Sequence, residues 1–242
     1  MPPRRRRPPT RLRRRASVAR TDLRFRYRAR YGPLPAFVVV GTGRCGTQYA
    51  SDLLTVSGLA CGHEEVFTPF GVQRRAGLVG DASWHAVPFV VGLGIPAIHL
   101  VRRPLDVVNS FLAIGFFRPW SEQRVRPRPA RRFADHYFTT TGDETIDAVR
   151  WCVAWNHWCE RVTFTRVRVD DADGLLAAAT RVTPGPRRAR PGAAGILPPT
   201  TTNTHLGQPF RVDDPRHLTL ADLPDHAASA ALLELTRRYG YA

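Results

Sequence analysis

The sequence predicts a three-layer α/β fold, with a central, mostly parallel sheet of four to five strands flanked by helices. Three observations predict it. Phe37-Val38-Val39-Val40 and Ala97-Ile98-His99-Leu100-Val101 are short, continuous apolar runs of the type that parallel strands buried on both faces require. Each run stops at a strand-to-helix junction, at glycines after Val40 and at Arg102-Arg103-Pro104 after Val101. Strand-like and helix-like stretches then alternate along the chain, which implies crossover connections and a sheet covered on both faces.

The elements follow in order. After Phe37–Val40 and its glycine loop, Gln48 to about Val56 reads as a helix with Tyr49, Leu53 and Val56 on one face. Leu59–His63 reads as a second strand, expected beside the first and ending at Glu64-Glu65. Ala86–Leu93 reads as a helix, Ala97–Val101 as a strand, and Leu105–Ile114 as the helix that Pro104 opens. Residues 118–132 are rich in Arg and Pro and read as a surface loop. Ile146–Val162 is an amphipathic helix whose Val149, Trp151, Cys152, Trp155 and Trp158 are core candidates. Phe164–Val169 is a further strand, 183–217 a long flexible loop, and Leu218–Tyr239 a helical region most definite over 227–239.

Residues 1–35 stand apart. Thirteen Arg face a single acid, Asp22, among clustered prolines, so an Arg/Pro-rich disordered tail is expected there and a folded domain over 36–242. The tail carries most of the net charge of +16, and the pI of about 11.2 describes the tail more than the domain. Binding through such a tail is sequence-blind and salt-dependent. The expected contact is a polyanion or a membrane surface, with no obligate nucleic acid. All 36 cationic residues are Arg, so no single Arg is informative merely for not being Lys. At 242 residues the chain suits one sizeable domain. No apolar run of about 18 residues predicts a membrane span, and no apolar stretch follows the basic start as in a secretory signal. The cytoplasm is the expected compartment. Cys45, Cys61, Cys152 and Cys159 form no CxxC pair, and Cys152 and Cys159, with His157 between them, match no common zinc spacing. They read as buried thiols, and no metal site is expected.

Two segments carry the chemistry. In Gly41-Thr42-Gly43-Arg44-Cys45-Gly46-Thr47-Gln48, small residues after a strand let backbone N–H groups converge on an anion at a helix N-terminus. Gly41-x4-Gly46 matches the first half of a nucleoside-triphosphate loop, so the expected fold is P-loop-like and nucleotide-binding. Thr47-Gln48 stands where Lys-Ser/Thr is needed for β/γ phosphates and Mg²⁺, and the cation sits earlier, at Arg44. In the second segment, Arg102 ends a strand, Pro104 and Asp106 follow, and Ser110 lies about two turns along the next helix. A planar guanidinium and a hydroxyl so placed suit a phosphate.

Together these segments resemble the sulfotransferases that use 3′-phosphoadenosine 5′-phosphosulfate, in their bacterial form. In that family a Lys or Arg precedes Ser-Gly-Thr in the 5′-phosphosulfate loop, and here Cys45 takes the Ser position. The family's Arg-x-Pro-x-Asp-x-x-x-Ser segment, which contacts the donor's 3′-phosphate, matches Arg102, Pro104, Asp106 and Ser110 at every spacing. The resemblance runs from Phe37 to about Asp171, where Arg168-Val169-Asp170-Asp171 echoes a family Arg-x-Glu-Asp, and is looser in the last helix and Gly240-Tyr241. The Arg-Lys-Gly triplet of cytosolic animal members is absent, with Arg187, Arg188 and Arg211 open as substitutes.

The resemblance implies transfer of a sulfuryl group to a hydroxyl of a carbohydrate, glycolipid or small molecule, without metal. It implies a base at Glu64, with Glu65 and His63 as competitors, and charge stabilisation by Arg44. It also implies an acceptor side at Gly80–Trp84, where Asp81 and Ser83 would bind hydroxyls and Trp84 would stack. Two alternatives compete with it. A P-loop kinase would need ATP and Mg²⁺, and a nucleic-acid-binding protein would act through its basic tail.

Overall fold

The computed structural model describes residues 33–73, 75–121, 128–185, 217–224 and 227–241. The sequence expectations for 1–32 and for 186–216, including Arg187, Arg188 and Arg211, lie outside the described residues.

Strand β1 (Phe37–Val40) is fully buried and sits at the centre of the main sheet. Helix α1 (Thr47–Val56) follows, then β2 (Cys61–His63). A two-stranded antiparallel hairpin, β3 (Phe67–Thr68) and β4 (Gly71–Val72), stands outside the main sheet. Next come β5 (Gly80–Ala82), a 3-10 turn (Trp84–Ala86), the short helix α2 (Val90–Leu93) and β6 (Ala97–Val101). Helix α3 (Pro104–Leu112), α4 (Arg128–Tyr137), α5 (Glu144–Val162), β7 (Thr165–Arg168), α6 (Ala172–Val182), a 3-10 turn (Leu220–Asp222) and α7 (Ala227–Arg238) complete it.

The main sheet has five strands in the order β2-β5-β1-β6-β7, all parallel. With helices flanking it, the chain is an α/β protein consistent with a three-layer, P-loop-like fold. No helix among the described residues is long and apolar enough to cross a membrane.

The expectation that β2 lies beside β1 is corrected: β5 runs between them. Gly-Asp-Ala lacks the β-branched signature of a strand, and tertiary contacts impose the conformation. A Cβ on Gly80 would lie 2.5 Å from Phe37 Cε2, so only glycine lets this strand close onto β1. Asp81 accepts from the N–H groups of Glu65 (3.2 Å) and Phe67 (2.9 Å), fixing the turn after β2.

Two further boundaries differ, and one helix was not expected. The Arg/Pro-rich loop expected over 118–132 gives way to α4 from Arg128, because Arg131 turns inward. It is 4% exposed, and it donates to Phe116 O at 2.6 Å and to Asp135 Oδ1 at 2.7 Å. The helix expected over Ala86–Leu93 is a 3-10 turn at Trp84–Ala86, capped by Ser83, and a single short helix. Residues Ala172–Val182 form a helix capped by Asp171, whose side chain accepts from the Gly174 N–H.

Helix α5 anchors the core. Trp151 and Trp155 stack at 4.3 Å and meet Trp84 edge-on at 5.6 and 5.5 Å. All four cysteines are free and buried.

Candidate active site

Parallel pairing brings the carboxyl ends of five strands to one edge, where open α/β sheets bind their ligands. The residues that follow them are the Gly41 loop, Glu64, Ser83, Arg102 and Val169.

The loop is held by close packing. A Cβ on Gly41 would fall 2.5 Å from both Cys45 Sγ and Leu100 O. Gly46 has φ 105° and a Cβ there would lie 2.7 Å from Val169 Cγ2, so a side chain is excluded by conformation and by space. Gly46 is also the N-cap of α1 and no side chain caps that helix, whose first backbone bond runs from Ala50 N–H to Gly46 O. The positive end of the helix dipole therefore faces the loop with no side-chain hydrogen bond capping it. Thr42 and Gly43 are buried against the core, and Gln48 turns away to donate to Asp52 Oδ1 at 2.9 Å. Burial pushes the Cys45 thiol up to about 12, so it stays protonated at neutral pH.

Arg44 joins the two sequence segments. Its Nε donates to Ser110 Oγ at 2.9 Å, and Arg102 Nη1 donates to Arg44 O at 3.4 Å. Arg102 also lies 3.9 Å from Asp106. Burial, and then the charge of Arg102, lowers Arg44 to about 10, which leaves it cationic at neutral pH. Two guanidinium groups are thus gathered where a helix dipole adds positive potential. Leu218 is held here as well, because Asn109, the neighbour of Ser110, clasps it through both its N–H and its carbonyl at 2.8 and 2.9 Å.

On the other flank of Arg44 stands Glu64. Its carboxylate has His63 Nε2 at 3.9 Å and His85 Nδ1 at 3.7 Å, and the Trp84 indole N–H donates to it. Burial, then the charge of Asp81, raises Glu64 to about 7, against the pull of Trp84 and Arg44. His63 pairs with Thr47 Oγ1 at 3.1 Å, tying β2 to the loop, and burial lowers it to about 4. Both histidines that flank Glu64 are therefore neutral at neutral pH.

Among the described residues, Arg44 (φ 75°) and Glu64 (φ 55°) are the two non-glycine positions with positive φ. Such backbone costs about 1–3 kcal/mol and persists where surrounding structure holds a side chain in place.

The remaining sequence-derived residues divide. Glu65 is half exposed and lies 3.8 Å from Arg75, away from the loop. Asp81 is fully buried on backbone N–H groups. Ser83 is fully buried and donates to Phe67 O at 2.6 Å. Trp84 is 5% exposed and reaches the site through its indole N–H. Arg168 grips Asp170 at 2.9 and 2.6 Å and stacks on Tyr241, whose hydroxyl donates to Val101 O next to Arg102. Sequence reading missed His85 and the Asn109–Leu218 clasp. Recognising β5 as a strand would have exposed His85, since it lies just past a strand's carboxyl end.

No known protein-family profile matches this sequence, and no curated protein is significantly similar to it.

Proposed function

We propose that the chain is a sulfotransferase that takes a sulfuryl group from 3′-phosphoadenosine 5′-phosphosulfate and places it on a hydroxyl. The observation that carries this reading is the junction at Arg44. The loop cation, Ser110 and Arg102 gather at one sheet edge with Glu64 on the opposite flank. A cluster of that charge suits a nucleotide with phosphates at two positions. The residues present fit the donor: the loop and Arg44 would hold its 5′ phosphosulfate, Arg102 and Ser110 its 3′ phosphate.

The donor, when bound, supplies an electrophilic sulfur on a phosphosulfate. Glu64, poised near neutrality, takes the proton from the acceptor hydroxyl. Arg44 and the N–H groups at the start of α1 stabilise the negative charge that remains on the nucleotide 5′ phosphate. Thr47 and Gln48 supply no Lys-Ser/Thr for a triphosphate and its metal. Calorimetric titration tests the reading. Adenosine 3′,5′-bisphosphate should bind without metal and ATP with Mg²⁺ should not, and the reverse result favours a phosphotransferase.

A further inference from the structure

We propose that His85 is a positioning residue for Glu64: its Nδ1–H, hydrogen-bonded to Ser83 Oγ, also faces Glu64 Oε2 at 3.7 Å, attracts that carboxylate oxygen and leaves Oε1 on the His63 side, toward the loop. The functional importance of this contact rests on Glu64 being the base; the contact itself does not.

The tautomer follows from the hydrogen bonds. The Ser83 hydroxyl proton is committed to Phe67 O at 2.6 Å, so toward the imidazole Ser83 Oγ is an acceptor. It already accepts from the His85 backbone N–H at 3.1 Å, and His85 Nδ1 lies 3.4 Å away. Nδ1 must therefore carry the proton, and the same N–H faces Glu64 Oε2 at 3.7 Å. His85 Nε2 is buried with no hydrogen-bond partner, which a lone pair tolerates at lower cost than an N–H.

The ring cannot drift. His85 is fully buried, lies tilted against Trp84 with ring centroids 3.9 Å apart and is met edge-on by Phe133 of α4 at 4.7 Å. Trp84 donates to Glu64 and His85 lies against Trp84, so two adjacent residues of one 3-10 turn direct N–H groups at the same carboxylate. The other titratable groups that act on Glu64 are His63 from β2, Asp81 from β5 and Arg44 from the loop. His63 is also the titratable neighbour of His85.

The Trp84 indole N–H reports the charge on Glu64, and the chain has only five tryptophans, so its resonance can be assigned in ¹⁵N spectra of the full chain. In wild type it should titrate with a midpoint near 7. His85→Phe keeps a ring and removes the donor, and should raise that midpoint by roughly half a pH unit or more, because the carboxylate loses the N–H dipole that faces it. His85→Asn restores an N–H near the Nδ1 position and should return the midpoint toward wild type. An unchanged or lowered midpoint in His85→Phe overturns the proposal. Long-range ¹⁵N–¹H spectra of the histidine-labelled wild-type chain provide a readout that needs no variant: Nδ1–H supports the proposal, and Nε2–H overturns it. Neither measurement requires donor or acceptor. Failure of the base assignment is seen separately, as normal turnover in Glu64→Gln.

Discussion

Arg44 Nε donates to Ser110 Oγ at 2.9 Å, a bond between residues 66 positions apart that fuses the glycine loop to the second turn of α3. Ser110→Ala should therefore weaken adenosine 3′,5′-bisphosphate by about tenfold or more, since hydrogen bonds to charged groups contribute about 1.5–3 kcal/mol. Arg44→Ala should lower turnover by orders of magnitude, as expected when a charge-stabilising group is lost. Calorimetry of both variants and single-turnover kinetics of the second check this, and near-normal turnover in Arg44→Ala removes that residue from the chemistry.

Glu64 near 7 fixes the direction of the pH response. A base must be deprotonated, so kcat/KM should rise with pH through about 7 and then level. A pH–rate profile that is flat from 5 to 9 is incompatible with Glu64 as base.

The same carboxyl links pH to stability. The folded chain holds its proton up to about 7, whereas the unfolded chain releases it near the ordinary value of 4.5. Between those values the native state binds more protons, so wild type loses stability as pH rises through this window. Glu64→Gln should melt higher than wild type above pH 7 and at the same temperature below pH 4.5. Paired thermal scans at pH 4 and 8 test the sign.

Asp81 separates a structural from a ligand-binding role. Asp81→Ala leaves the Glu65 and Phe67 amides without their acceptor and should cost about 1–3 kcal/mol for each. Urea denaturation measures the loss. Unchanged stability would mean that the carboxylate is free for an acceptor.

Gly80 faces a ring. Gly80→Ala should cost about 1–3 kcal/mol through overpacking against Phe37, and Phe37→Leu in the same chain should recover part of it. Additive losses in the double variant would show that the two positions do not press on each other.

Much of this architecture was legible where apolar runs and their stops coincide. Phe37–Val40 and Ala97–Val101 are strands because β-branched and aliphatic side chains fill both faces, and glycine or proline ends each of them. Strand β5 was not legible. Its conformation comes from Phe37 and from two amides supplied by another turn, and neither leaves a periodic trace in Gly-Asp-Ala. Helix α4 was hidden for a similar reason, because its Arg-Pro-rich start reads as surface until Arg131 finds buried carbonyls. At the site, the spacing from Arg102 to Ser110 was readable along one chain segment. That Arg44 reaches Ser110, and that His85 faces Glu64, depends on how separate strand ends converge.

The left-handed backbone at Arg44 and Glu64 has a bearing on how this protein is engineered. Glycine relaxes such positions, and stability is readily gained by substitutions at strained functional residues. A variant library ranked by melting temperature alone would enrich glycine at 44 and 64, discarding the two side chains on which turnover is proposed to depend. Screens for robust forms should hold both codons fixed.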